Sequence, residues 1–158
     1  MATLEHTVEI GAPADRVFDF VVAEWESSMS FWQGGVYNWS PLSRGPMGDG
    51  FRVAYVARML GVGFQIEMEV RDFVRYEGWV AVSRKGPSSE GRWRFVSENG
   101  TTKFTYELSY DLPPPILGPL MDRLLMKRLW SRAIDRSLLN LKQLIESGDN
   151  DTPPHGAG

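Results

Sequence analysis

Histidine and cysteine, the side chains most often used for catalysis and metal binding, are nearly absent from this sequence. The 158 residues include two histidines, His6 and His155, and no cysteine. The lack of cysteine excludes disulfides, thiolate chemistry and Cys-ligated metals. With so few histidines, a histidine metal cluster or a Ser-His-Asp triad is nearly excluded as well. We therefore expect neither a metal ion nor a cofactor.

His6 is the imidazole that falls within a predicted strand. It shares the apolar face of that strand with Val8 and Ile10, and its ordinary pKa suits a general base at neutral pH. No carboxylate lies nearby in the sequence to orient the ring. Carboxylates elsewhere fall mostly on polar strand faces, so no paired acid and base emerges. A structural role for His6 is therefore favoured over catalysis.

Aromatic residues and methionines are abundant instead. The chain has six Trp, eight Phe, five Tyr and seven Met. Aromatic side chains dominate the energetics of cores, and Met fills irregular apolar space and adaptable binding surfaces. The formal net charge of −3 argues against a broad phosphate-binding surface, so no nucleic-acid partner is expected. This composition is better suited to enclosing an apolar molecule than to polar chemistry.

The first 35 residues predict a strand and two helices. Apolar and polar residues alternate from Leu4 to Ile10, which is typical of a half-buried strand. Pro13 suits the first turn of a helix, and the apolar spacing continues this helix to about residue 23. Residues 25–32 predict a second short helix, which the Gly-Gly pair at 34–35 would end.

Residues 36–110 predict consecutive antiparallel strands joined by tight turns. Apolar and polar residues alternate over 64–71 and 103–110, which indicates a sheet with one buried and one solvated face. The strongest turn signal is Asn99-Gly100, because this pair supplies the positive φ angles of a two-residue hairpin. Further turn signals lie at 44–50, 60–61, 76–78 and 86–87.

A long helix is predicted for residues 116–146, about 45 Å at 1.5 Å per residue. Its second half carries a narrow apolar stripe, whereas its first half is apolar over a wider arc than one sheet face can cover. The following residues are rich in Ser, Gly, Asn, Asp and Pro, which predicts disorder. We therefore expect one domain over residues 1–147 and a disordered tail over 148–158.

This order of elements resembles the helix-grip fold of the START/SRPBCC superfamily. Residues 8–21, VEIGAPADRVFDFV, are similar to the opening of its polyketide cyclase/dehydrase family, where such a string joins the first strand to the first helix. Trp32 is similar to the aromatic residue that closes the family's second helix. Residues 140–146, NLKQLIE, are similar to the family's usual ending. The resemblance covers roughly residues 3–147.

The resemblance implies an α+β, START-like fold and an apolar cavity. The fold would be a curved antiparallel sheet of about seven strands wrapped round the long C-terminal helix, with two short helices after the first strand. Members of the superfamily bind lipids, quinones, plant hormones or polyketides, and only some of them catalyse a reaction. The inward-facing residues that would bind the ligand are Tyr55, Phe64, Ile66, Met68, Trp93, Phe95, Phe104, Tyr106, Tyr110, Leu117, Leu120, Met121 and Leu124.

A filled core is the alternative to a cavity, and it is the better interpretation for most of these residues taken singly. Two features favour the cavity: the wide apolar arc of the helix, and three tyrosines on apolar positions whose hydroxyls need partners if buried. Family polyketide cyclases often fix a polyketide carbonyl with Arg, Tyr, Ser or Asn in the pocket. The residues of these types available here are Asn38, Arg58, Ser83 and Tyr106, although Arg58 falls on the outward face of its strand.

Three functions remain open. The leading hypothesis is a binding or carrier protein for a small hydrophobic ligand of the lipid, quinone, isoprenoid or polyketide class, held between the long helix and the sheet. The alternative is a polyketide aromatase/cyclase-like enzyme that acts through Tyr106, Tyr110 or His6. The third is a protein-interaction module that docks through the apolar start of the long helix. The sequence leaves the oligomeric state open.

Location and membrane contact are also addressed by the sequence. The N-terminus lacks a secretion signal, and no apolar run approaches the roughly 18 residues of a membrane span, so a cytoplasmic location is expected. The long helix carries a basic row, Lys127, Arg128, Arg132 and Arg136. This row permits transient contact with anionic headgroups, although a solvated face is the favoured interpretation.

Overall fold

The computed structural model describes residues 2–59, 61–111 and 120–151. Seven strands and two helices occupy most of these residues. In chain order they are β1 (Ala2–Ile10), α1 (Ala14–Trp25), β2 (Val36–Pro41), β3 (Arg52–Met59), β4 (Val62–Val74), β5 (Gly78–Lys85), β6 (Ser89–Glu98), β7 (Thr101–Tyr110) and α2 (Leu120–Asp151).

All seven strands form one antiparallel sheet in the order β1-β7-β6-β5-β4-β3-β2. Strands β2 to β7 follow one another as a meander, and β1 pairs with β7 from Ala2↔Tyr110 to Ile10↔Thr102. Alternation along the strands gives the sheet one buried face: in β7, Phe104 and Tyr106 are buried whereas Lys103 is exposed. The expected seven-stranded sheet with a long C-terminal helix is confirmed.

The β6–β7 hairpin has the turn that the sequence predicts. Asn99 and Gly100 are the two loop residues, with φ angles of 52° and 85°. Positive φ at both positions is the backbone conformation that an Asn-Gly pair adopts most readily in a two-residue hairpin. This turn sets the register in which Trp93 and Tyr106 lie opposite each other, and both belong to the site described below.

Helix α2 packs against the sheet through the apolar stripe of its second half. The stripe is almost completely buried and joins the core formed with β1 and α1. Polar contacts reinforce this packing: the side chain of Asn140 donates to the Phe31 carbonyl at 2.9 Å, and the Gln33 amide donates to Ser137 Oγ at 2.7 Å. The members of the stripe are Trp130, Ile134, Leu138, Leu141 and Ile145.

Glu146 anchors the last part of α2 to the turn after β1. Its Oε2 accepts hydrogen bonds from Lys142 Nζ and from the Gly11 amide, each at 2.7 Å. These two hydrogen bonds hold the pKa of the Glu146 carboxyl below its ordinary value, because they favour the charged form. The contact fixes where the long helix lies relative to the first strand.

The prediction of a second short helix is wrong. Helix α1 continues to Trp25, and residues 26–35 form turns and bends. Met29 has a φ of 50°, which a right-handed helix does not accommodate. The carboxylate of Glu24 accepts hydrogen bonds from the amide and hydroxyl of Ser30 at 2.6 Å each, in place of a helical ladder. Trp25, Met29 and Trp32 have helical spacing in the sequence but are brought together by turns.

The boundaries predicted for the long helix and the tail also need correction. Helix α2 continues to Asp151, so residues 148–151, predicted as disordered tail, are helical. Ser, Asn and Asp lower helix stability by less than about 1 kcal/mol each and Gly by about 1 kcal/mol, so a well-anchored helix can extend through them. Residues 116–119, predicted as the first turn of this helix, and residues 152–158 lie outside the described part of the chain.

Neither α1 nor the described length of α2 combines the length and hydropathy needed to cross a bilayer.

Candidate ligand-binding site

Two adjoining cavities lie between the sheet and the segment that follows α1. Their volumes are about 40 Å³ and 50 Å³, which is room for a few water molecules. Trp32, Val36, Tyr55 and Tyr106 line both cavities. The first is also lined by Trp25, Met29, Trp39, Met68, Ala81, Gly91 and Trp93, and the second also by Ala57, Ile66, Ser89, Leu108, Tyr110 and Trp130.

Aromatic rings form the walls because strand register places them opposite one another. Trp93 on β6 pairs with Tyr106 on β7, and their ring centroids are 4.7 Å apart. Trp32 packs its ring against Tyr106 edge to face at 5.4 Å. On the other side, Trp39 stacks on Tyr55 at 5.3 Å. Such ring pairs stabilise the wall beyond simple area burial and give the site flat, apolar surfaces.

The tyrosine hydroxyls of the site stay protonated at neutral pH. Burial raises the pKa of Tyr55 and of Tyr106 well above the ordinary tyrosine value, and for Tyr106 the nearby Tyr55 phenolate would raise it further. Burial also raises the pKa of Tyr110. No hydrogen bond joins any of these three hydroxyls to another residue in the described ranges. They are therefore neutral hydrogen-bond donors rather than bases.

Three indole N–H groups of cavity-lining residues are buried without an acceptor. The Nε1 atoms of Trp25, Trp32 and Trp130 have no hydrogen-bond partner among the described residues. Trp39 differs, because its Nε1 donates to the Trp25 carbonyl at 3.0 Å. Leaving a buried donor unpaired costs about 1–3 kcal/mol, so three such groups at one site call for an explanation. Trp79 Nε1 is also unpaired, but it lines neither cavity.

Gly91 lets two aromatic side chains approach the backbone of β6 closely. It lies in the middle of β6 and lines the first cavity. A Cβ at this position would stand 3.3 Å from the Tyr106 hydroxyl and 3.5 Å from Trp93 Nε1. The missing side chain therefore makes room for the Tyr106 ring at the wall of the cavity.

Among the residues that the structure describes, no charged side chain lines either cavity. Among the hydroxyls, Ser89 Oγ lies 3.9 Å from Met68 Sδ, a weak contact. Within the described ranges, no group of three His, Asp or Glu residues could hold a metal ion. The arrangement can therefore bind an apolar molecule and donate hydrogen bonds to it. Its described residues offer no carboxylate or imidazole for proton transfer.

The structure places the predicted ligand-binding residues in three kinds of environment. Six of them line the cavities: Tyr55, Ile66, Met68, Trp93, Tyr106 and Tyr110. Phe95 and Phe104 are buried outside both cavities, and Phe64 is partly buried beside the core. Leu124, expected to close the cavity, has 55% of its surface exposed. Leu117 and the side chains of Leu120 and Met121 lie outside the described part of the chain.

Sequence reasoning missed several lining residues, above all Trp25, Trp32 and Trp130. The first two were assigned to the ends of a helix that does not form, and Trp130 was assigned to the helix stripe. The sequence did contain a signal, which is the presence of three tryptophans in segments that flank the sheet. Because tryptophan is large and is rarely buried completely, three of them near one sheet face point to a shared aromatic site.

His6 has a polar environment that the sequence did not reveal. Its Nε2 lies 2.8 Å from Ser131 Oγ, and its Nδ1 lies 4.0 Å from an Asp135 carboxylate oxygen. The second distance exceeds that of a hydrogen bond, and His6 lines neither cavity. These contacts link β1 to α2, as expected for a structural histidine.

Three of the four polar residues of the types that could fix a carbonyl lie away from the cavities. The Arg58 guanidinium lies over the Tyr37 ring, 5.4 Å from its centroid, and Ser83 Oγ accepts the Ser89 amide at 3.0 Å. Asn38 is exposed, with a φ of 57°, and lines a separate depression of about 250 Å³ on β2, β3, β4 and β5. Two residues of that depression, Glu67 and Lys85, pair with each other at 3.1 Å. Of the four candidates, Tyr106 alone lines the two cavities.

Most of the chain matches a known family. Residues 1–146 match the family model described as polyketide cyclase / dehydrase and lipid transport. The chain belongs to this family. The resemblance seen in the sequence is thereby confirmed. The family and the fold together indicate a hydrophobic-ligand-binding or polyketide-cyclase-like protein. No curated protein matches the sequence.

Solved structures share the fold of this family member at low sequence identity. A protein from Thermus thermophilus is 23% identical with a TM-score of 0.76, covering 93% of this chain and 99% of that one. An aromatase/cyclase from a Streptomyces species is 16% identical with a TM-score of 0.69, covering 96% and 98%. A START superfamily protein from Mycobacterium smegmatis is 16% identical with a TM-score of 0.66, covering 92% and 97%.

Proposed function

We propose that this protein binds a small hydrophobic molecule at the two adjoining cavities, between the sheet and the α1–β2 segment, with α2 closing one side through Trp130. The observation that carries the proposal is the lining itself, whose described residues are mostly aromatic and aliphatic and include no charged side chain. Small-molecule sites are typically apolar with a few placed polar groups. Burial of apolar ligand surface, at about 25 cal/mol per Å², drives binding.

The bound ligand must enlarge the site. Pockets that bind drug-sized ligands have volumes of about 300–1,000 Å³, whereas the two cavities have volumes of about 40 Å³ and 50 Å³. Trp32 lines both cavities and is partly buried, so a shift of its side chain joins and widens them. Met29 and Met68, also in the lining, are flexible enough to adapt to different ligand shapes.

A cyclase-like enzyme is the second candidate, supported by the family and by the Streptomyces aromatase/cyclase among the structural neighbours. Ring closure by an aldol reaction needs a base that removes a proton from carbon. Tyr55 and Tyr106 do not provide a base at neutral pH, because burial raises the pKa of both hydroxyls and keeps them protonated. His6 does not line the site. We therefore favour binding without catalysis.

Native mass spectrometry of the freshly purified protein tests the proposal. We expect an added mass that is released by organic solvent and identified as an apolar compound, or uptake of a hydrophobic fluorescent probe if the protein is purified empty. Incubation of the released compound with the protein then tests turnover. A protein that retains nothing and binds no hydrophobic probe would contradict the proposal.

A further inference from the structure

We propose that the outward side of α2 docks on an anionic membrane surface. The inference goes beyond the proposed function and does not depend on it, because none of the residues concerned lines either cavity. Exposed leucines and unpaired arginines that share one side of the helix carry it. This docking face consists of Leu124, Leu125, Arg128, Leu129, Arg132 and Arg136.

The leucines of the docking face are exposed although the helix is well packed beside them. Leu124, Leu125 and Leu129 have 55%, 46% and 41% of their surface exposed. Met126 and Trp130, on the other side of the same turns, are buried. Single exposed leucines are common on protein surfaces, but three close together on one stretch of helix indicate an interaction surface.

The arginines lie on the same side of α2 as the leucines. Residues three, four and seven positions apart share a helix face, which places Arg128, Leu129 and Arg132 beside Leu125, with Arg136 one turn further on. The three arginines are exposed, and none of them has an ion-pair partner in the described ranges. Apolar and basic side chains therefore form one continuous surface.

The local charge of this part of α2 is opposite to that of the whole chain. Residues 124–139 include four basic side chains and one carboxylate, Asp135, whereas the chain has a formal net charge of −3. The Asp135 carboxylate lies 4.0 Å from Nδ1 of His6 in β1, so it does not neutralise the arginine row. The uncompensated positive charge favours an anionic partner.

An anionic lipid surface fits the docking face better than a second copy of the chain does. Leucines of an interfacial helix enter the boundary between headgroups and acyl chains, and neighbouring arginines extend to the phosphates. Two copies packed through this face would bring their arginine rows together, and like charges repel. The solvated face favoured from the sequence does not account for the three exposed leucines.

Co-sedimentation with vesicles tests the proposal. We expect binding at low ionic strength to vesicles of phosphatidylcholine mixed with phosphatidylglycerol, and much weaker binding to phosphatidylcholine alone. The double variant Arg128→Gln, Arg132→Gln should lower the partition coefficient about thirtyfold, equivalent to about 1 kcal/mol for each arginine. The matched control is Arg92→Gln, Arg94→Gln on β6, which changes the net charge equally and should lower binding less than threefold.

Leucine variants separate insertion from electrostatic adsorption. The double variant Leu125→Ser, Leu129→Ser keeps every charge and removes apolar surface that the bilayer would bury, so the partition coefficient should fall about tenfold. Leu144→Ser is the matched control, because Leu144 has 43% of its surface exposed on the same helix, about five turns further along. This control should leave vesicle binding unchanged.

The outcomes keep this proposal apart from the hydrophobic-ligand site. Equal binding of the wild type and the Leu125→Ser, Leu129→Ser variant would overturn docking, and so would equal binding to both kinds of vesicle. If sedimentation velocity shows a dimer that this leucine variant dissociates, and no vesicle binds, a second copy of the chain occupies the face instead. Uptake of a hydrophobic probe by the cavities should stay at the wild-type level in all these variants.

Discussion

Filling the space above Gly91 should block ligand binding while the protein still folds. Gly91 lies in β6 between Ala81 of β5 and Leu108 of β7, and its φ is outside the left-handed region. Gly91 lines the first cavity, so a methyl group at this position, roughly the size of one water molecule, takes up part of the cavity and pushes the Tyr106 ring into it. The Gly91→Ala variant therefore reduces the space available to a ligand.

The two energetic consequences of Gly91→Ala can be estimated separately. The new Cβ would meet Tyr106 Cε1 at 3.2 Å, tight enough to add overpacking of about 1–3 kcal/mol. Replacing glycine in a strand recovers about 0.5–1 kcal/mol. We therefore expect the free energy of unfolding to fall by no more than about 2.5 kcal/mol. Ligand affinity should fall at least tenfold, which corresponds to about 1.4 kcal/mol of binding free energy.

Urea unfolding and calorimetric titration of the same preparations measure both quantities. Gly63→Ala is the matched control, since Gly63 is also a strand glycine with ordinary φ and its Cβ would make an ordinary 3.5 Å contact with Val56. This control should leave binding unchanged. A Gly91→Ala protein that folds and binds as tightly as the wild type would refute the assignment of the ligand to this cavity.

Three further predictions concern pH and surface charge. Burial raises the pKa of Tyr55 and Tyr106 in the folded protein, so the unfolded chain loses these protons first and the free energy of unfolding should fall as pH rises above about 10. Tyr→Phe variants should lose less stability over this range, which denaturant unfolding at a series of pH values measures. The ionised Glu146 carboxylate stabilises the fold above about pH 4.5, and this contribution disappears as pH falls through the lowered pKa of the folded state. The Glu146→Gln variant should therefore be less stable than the wild type at neutral pH and equally stable in strong acid. If the basic row of α2 contacts membranes, vesicles with anionic lipid should sediment the wild type more than an Arg128→Glu, Arg132→Glu variant, and equal sedimentation would contradict that contact.

Much of the sheet could be predicted because its determinants are local. Alternation of apolar and polar residues fixes which face of a strand is buried, and the Asn99-Gly100 pair fixes one hairpin. The false helix over residues 25–32 shows the limit of this reasoning. Trp25, Met29 and Trp32 have the spacing of a helix face, but the local hydrogen bonds of Glu24 and the positive φ of Met29 stabilise turns instead.

The site was predicted less completely because it is built across elements. The alternation of apolar and polar residues correctly placed Tyr55, Trp93 and Tyr106 on the inner face of the sheet. This alternation cannot distinguish a residue that lines a cavity from one that fills the core. Phe95 and Phe104 were therefore predicted to bind the ligand, although both lie outside the cavities. Likewise, no local pattern shows that an indole N–H lacks an acceptor, because that depends on all of its neighbours in three dimensions.

The indole N–H resonances provide the most direct test of the central claim that a hydrophobic ligand binds at these cavities. The chain has six tryptophans, so its nitrogen–proton correlation spectrum should contain six assignable indole signals. Titration with naphthoquinone as a hydrophobic probe should change the chemical shifts of Trp25, Trp32 and Trp130, whose rings line the cavities, and should move the signal of Trp79 least. If these three signals stay in place, or the Trp79 signal moves most, the account of the site is contradicted.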